Sequence, residues 1–121
     1  MKTYSPTYVR GNSIELRILW QDAVLSPISF ANRVVRVAVR EVDNAPDVLF
    51  EANSEDNPLL VVIEELILPE AVGKIVIKMS PALTQTFPIG DLPYHVEVVD
   101  LDGYVRTILQ GRLMIIEDIV R

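Results

Sequence analysis

Cysteine is absent from the 121 residues, so the chain can form no disulfide, thiolate nucleophile or zinc-thiolate centre, and its stability rests on packing alone. Histidine is scarce as well. His95 is the single one, which leaves any imidazole chemistry dependent on partners that the fold would have to bring to it. No apolar run approaches the roughly 18 residues needed to cross a bilayer, and Met1-Lys2-Thr3-Tyr4-Ser5-Pro6 lacks the apolar segment of a signal peptide. The expectation is a soluble protein made inside the cell and without a membrane partner. Cations are also in deficit, with 11 Lys and Arg against 17 Asp and Glu and a net charge of −6. Nucleic acid is therefore not an expected partner, since phosphate neutralisation needs clustered Lys and Arg. Nowhere does the chain carry a Gly-rich phosphate loop, a Gly-x-Ser-x-Gly elbow or a His-Glu-x-x-His pattern.

What the chain has is a period of two. Hydrophobic residues make up 50% and charged residues 23%, a globular balance that at this length predicts one domain, residues 1–121, with a single core. Ile14, Leu16, Ile18 and Trp20 alternate with Ser13, Glu15, Arg17 and Leu19, which predicts a strand with one apolar face. Further strands are predicted over residues 33–42, 48–52, 59–63 and 74–79, the 59–63 run being apolar throughout and so expected to be buried on both sides. Tyr94, Val96 and Val98 alternate with His95 and Glu97 up to Leu101-Asp102-Gly103-Tyr104, and an apolar run from Val105 follows. An Asp-Gly pair between such runs is a strong hairpin signal, because a tight turn needs a positive φ that glycine takes freely. Gly111 interrupts the last run, consistent with one long bulged strand or with two strands joined by a bend. One helical signal stands out: Ser80 as N-cap, Pro81 at the first position and Pro88 as a stop leave room for one or two turns. A parallel α/β sheet would need longer helices between strands. The expected fold is all-β, two antiparallel sheets packed face to face with one short helical turn.

Candidate chemistry is sparse. Asp100-Leu101-Asp102-Gly103 opens like a calcium loop but lacks the later ligands, and the hairpin turn accounts for it. Glu51, Glu55 and Asp56 with their Asn and Ser neighbours read as a polar loop, and Glu64-Glu65, if on a strand, point to opposite faces. Arg36 and Arg40, near Arg33, share the face opposite Val35, Val37 and Val39 and read as the solvated side of a half-buried strand. Neither a catalytic, a metal nor a cofactor site is expected.

The order of the segments carries more than any one of them. Arg10-Gly11-Asn12, the strand at 14–20, Arg33-Val34-Val35-Arg36-Val37-Ala38-Val39-Arg40, Gly73-Lys74-Ile75-Val76-Ile77 and the short turn at 81–87 are followed by Leu92-Pro93-Tyr94-His95-Val96-Glu97-Val98-Val99-Asp100. Asp102-Gly103 and Leu109-Gln110-Gly111-Arg112-Leu113 complete the series. This order resembles the small immunoglobulin-like β-sandwich structural proteins of tailed bacteriophages and prophages. The resemblance runs from about Thr7 to Glu117. It departs at Ala23-Val24-Leu25-Ser26-Pro27, where similar proteins often carry an Asp-Gly turn, and at residues 43–58, which are longer and more acidic. It implies an immunoglobulin-like sandwich without enzymatic activity or cofactor, located in the virion and made in the host cytoplasm, with other virion proteins and further copies of itself as partners.

An exposed edge strand repeated by symmetry gives such a role a physical basis. Val24, Leu25, Ile28 and Phe30 make the segment before Arg33 apolar for a loop, and it belongs either to an interface or to the core. The end of the chain, with Ile119 and Val120, is either a last core strand or a docking arm. Two other functions compete with the virion role. A stand-alone carbohydrate- or peptide-binding module would group exposed aromatics, drawn from Tyr4, Tyr8, Trp20, Tyr94 and Tyr104, in a groove. A small hydrolase or metal enzyme would need His95 to meet two carboxylates.

Overall fold

The computed structural model describes residues 2–117 apart from Ala23, Asn44 and Pro69, with Lys2 described in its backbone only; Ile119 and Val120 lie outside the described residues. Among the described residues nine strands follow one another: β1 (Lys2–Thr3), β2 (Thr7–Val9), β3 (Ile14–Leu19), β4 (Val34–Val39), β5 (Phe50–Asn53), β6 (Val61–Ile63), β7 (Lys74–Met79), β8 (Gly90–Val99) and β9 (Val105–Ile116). A 3-10 turn, Glu64–Leu66, follows β6, and one helix, α1 (Pro81–Thr84), separates β7 from β8. They form two sheets. The larger has the order β1-β9-β8-β4-β5 with β2 also on β9, and the smaller is β3-β7-β6.

The alternation read along the chain is what packs the sheets together. Ile14, Leu16 and Ile18 of β3 and Ile75, Ile77 and Met79 of β7 face Val35, Val37 and Val39 of β4 and Tyr94, Val96 and Val98 of β8, all buried. Each such side chain contributes about 1.5–3 kcal/mol on leaving water, which is how a chain without disulfides holds two sheets together. Ser80 caps α1, its Oγ accepting from the Leu83 amide at 3.2 Å, and Pro81 opens the helix. Thr84, fully buried, ties this helix to the β2–β3 loop by donating to the Asn12 carbonyl at 2.8 Å and accepting from the Gly11 amide at 3.1 Å. One end of the sandwich is closed in this way.

Three expectations need correction. The sandwich is not wholly antiparallel: β1 and β2 pair parallel to β9, because the N-terminal segment runs down the free edge of β9 before crossing to β3 in the other sheet. The 59–63 run is not buried on both sides, since only residues 61–63 form a strand and Leu59 is 83% exposed; Leu59 and Leu60 belong to a turn at the sheet margin. Glu64 and Glu65 sit in the 3-10 turn rather than on a strand. Of the two alternatives for the last run, the one long bulged strand is present, with the bulge away from Gly111, which pairs regularly with Tyr94. The strand runs unbroken through Gly111, and the register slips opposite Val96 and Glu97, where Leu109 and Thr107 are the partners and Ile108 is the extra residue. That bulge lets Ile108 and Leu109, adjacent in sequence, both be buried.

The predicted hairpin is present in a particular form. Asp100 and Tyr104 close it, the Asp100 amide donating to the Tyr104 carbonyl at 2.8 Å, and the Gly103 amide donates back to the Asp100 carbonyl at 3.0 Å. Gly103 has φ +87° while Asp102 does not take a positive φ, the pattern of a three-residue loop ending in a left-handed glycine.

Candidate functional site

Strand directions bring three loops to the end opposite α1. β3 ends there, β4 begins, β6 ends, β7 begins, and β8 turns into β9. The loops are residues 20–33, 64–73 and 100–104. They are braced against each other by two carboxylates. Glu65 accepts from the Ser29 hydroxyl at 2.7 Å and from the Phe30 amide, which joins the second loop to the first. Asp100, 11% exposed, takes Arg33 Nε at 2.8 Å and Arg106 Nε at 3.2 Å, which joins the first to the third. The Arg33 guanidinium also lies 5.1 Å from the centre of the Trp20 ring and donates to the Ser29 carbonyl at 2.7 Å. Trp20 in turn packs on Phe30 with ring centres 5.1 Å apart. Gly73 is buried at φ +80°, and a Cβ there would stand 2.9 Å from the Trp20 carbonyl oxygen.

Above this braced base the three loops expose large apolar side chains. Val24 and Leu25 are 79% and 72% exposed in the first loop, Leu66 and Ile67 73% and 71% in the second, and Leu101 and Tyr104 82% and 69% in the third. Leu68 and Val105 are exposed beside them. Single exposed apolar side chains are ordinary on a protein surface; several on adjoining loops at one end are not. The segment proposed from the sequence therefore divides. Val24 and Leu25 lie on this surface, Ile28 is half-buried, and Phe30 is in the core at 1% exposure, so for Phe30 the core alternative holds. Asp102 and Gly103 shape the third loop. Gly111 is distant from it, under the N-terminal segment. Sequence reasoning missed Leu66, Ile67, Leu68 and Leu101. A usable signal was present in Leu66-Ile67-Leu68, an apolar run between Glu65 and Pro69 without the alternation of a half-buried strand.

A second feature lies on the outer face of the larger sheet. Here a concavity of about 750 Å³ is lined by Thr3, Arg40, Asp43, Pro93, His95 and Arg112, among others. Arg112 pairs with Asp43 at 2.7 Å, and His95 Nε2 lies 2.7 Å from Glu97 Oε1. His95 thus meets one carboxylate, and among the described residues no three acidic or imidazole groups gather as a metal site would require. Asn53 organises the acidic loop, its Oδ1 accepting from the Glu55 and Asp56 amides at 3.0 and 2.7 Å, and Glu64 faces Arg17 at 3.7 Å. Of the aromatic residues, Tyr4 and Tyr104 are the large exposed ones, and they stand apart, Tyr4 beside Gln110 and Tyr104 in the hairpin turn. Neither a family model nor a curated protein matches the chain.

Proposed function

We propose that the chain is a non-enzymatic structural protein of a bacteriophage virion, a part of the tail, baseplate or head that acts through protein–protein assembly. The observation that carries this reading is the loop end: exposed apolar side chains from three loops held on a braced, buried base. Such a surface buries area against another protein without a pocket or cofactor. An immunoglobulin-like character is supported by strand order, with β3, β7 and β6 in the places of strands B, E and D, and β9, β8, β4 and β5 in those of G, F, C and C′. The edge strands β5 and β6 offer further copies of the chain unpaired backbone groups.

The test is to purify the particles released from induced cells of the source strain and analyse them by peptide mass spectrometry and immunogold labelling. Finding the chain at a fixed copy number, with label at one place on the particle, supports the reading. Its absence from intact particles overturns it.

A second reading, a stand-alone module for a carbohydrate or peptide, is favoured by the concavity around Arg40, His95 and Arg112. Without an exposed ring in it, sugar stacking has no platform there, which places this reading second.

A further inference from the structure

We infer that the loop end docks on a different protein, one that presents apolar side chains bordered by lysine or arginine, and does not dock on a second copy of itself. The inference rests on the assembly reading above and adds the chemistry of the partner. Its basis is charge. Within residues 20–33, 64–73 and 100–104 the one cation is Arg33, with Arg106 and Lys74 just beyond; Arg33 and Arg106 are paired with Asp100, while Lys74 is exposed at the start of β7. Each loop then keeps one exposed carboxylate beside its apolar residues: Asp22 before Val24 and Leu25, Glu70 after Leu68, and Asp102 between Leu101 and Tyr104. Among the described residues none of the three has an ion-pair partner.

Two of these carboxylates are held in place. Asp22 Oδ1 accepts from the Val24 and Ser26 amides at 2.9 and 3.0 Å, and Asp102 Oδ1 from the Tyr104 amide at 3.3 Å. Exposed carboxylates beside the apolar side chains of all three loops are the complement of an apolar patch with a cationic rim. Two copies meeting loop end to loop end would instead set like charges against one another, an arrangement that costs several kcal/mol. An anionic lipid surface is disfavoured for the same reason.

The experiment uses the whole chain and two amphipathic peptides of equal length, one of leucine and lysine and one of leucine and glutamate, titrated while backbone amides are followed by NMR. The Leu/Lys peptide is expected to shift the amides of residues 24–25, 66–68 and 101–104. It should bind about tenfold more tightly than the Leu/Glu peptide, and the preference should shrink as salt is raised. Combining Asp22→Asn, Glu70→Gln and Asp102→Asn should abolish the preference and leave the amide dispersion of the fold intact. Equal binding of both peptides at the loop end would overturn the charge inference and leave the docking surface standing. Shifts centred on the Glu51–Asp56 region, or a preference that survives the triple substitution, would overturn it too. If Leu25→Ser with Ile67→Ser changes the binding of neither peptide, the docking surface itself fails. Two further results would overturn the inference: concentration-dependent self-association by light scattering, or binding to phosphatidylglycerol vesicles, either one abolished by those two serine substitutions.

Discussion

Tyr94 and Gly111 stand directly opposite one another on β8 and β9, and the backbone of Tyr4 occupies the space that both leave. The Tyr94 hydroxyl donates to the Tyr4 carbonyl at 2.6 Å, and a Cβ on Gly111 would lie 2.0 Å from that same oxygen. One carbonyl group therefore explains a buried tyrosine and a glycine, and it fixes the N-terminal segment on the edge of the larger sheet.

Substituting Gly111 by Ala forces that segment away. Because the obstacle is backbone, the expected loss is about 3 kcal/mol in urea unfolding, at the upper end for overpacking, with faster amide exchange along residues 2–9. Gly103→Ala meets no atom within 4 Å and strains only its φ of +87°, so it should cost about 1 kcal/mol.

Stability should fall in alkali. Burial, with smaller contributions from Tyr8 and Tyr4, pushes the Tyr94 phenol well above its ordinary value, and burial raises that of Tyr8 as well. The folded state holds these protons more tightly than the unfolded chain. The contribution of these two groups is then constant below about pH 10, the ordinary pKa of a phenol, and declines as pH rises toward the folded values. Tyr94→Phe should flatten the decline in a pH series of urea midpoints, while lowering stability at neutral pH by about 1 kcal/mol through the lost bond to Tyr4.

Glu65 and its neighbour Glu64 should differ sharply. Glu65→Ala removes the acceptor for Ser29 and for the Phe30 amide and is expected to cost about 2–3 kcal/mol, as lost bonds to a charged group do. Glu64→Ala removes a solvent-facing pair with Arg17 and should change stability by about 0.5 kcal/mol or less. Thermal unfolding of the two variants decides the point.

Leu25→Ser and Ile67→Ser should leave the urea midpoint within about 0.5 kcal/mol of the parent, since both side chains are already in water. The same substitutions should remove the chain from purified particles. A stability loss of several kcal/mol would instead place these residues in the core of the fold.

Much of the fold was legible because a half-buried strand writes its burial into every second residue. Residues 74–79 read correctly to their limits, as did the faces of Val35, Val37 and Val39 and the cap at Ser80. Where the pattern is not periodic, the reading failed. Leu59 and Leu60 are as apolar as Val61 and Ile63, yet they lie past the end of the strand, and no local signal separates a run inside a sheet from one at its margin.

Local residue chemistry by itself determined an all-β chain free of disulfides, a glycine-bearing hairpin after β8 and a capped turn before it, because alternation, φ preference and capping act over a few residues. Only the tertiary structure decided that Gly111 makes room for Tyr4, that Phe30 is core while Leu25 is surface, and that loops about 30 to 40 residues apart in sequence share one end of the sandwich. Those facts depend on strand order and direction, and both follow from long-range pairing that no short stretch of sequence contains.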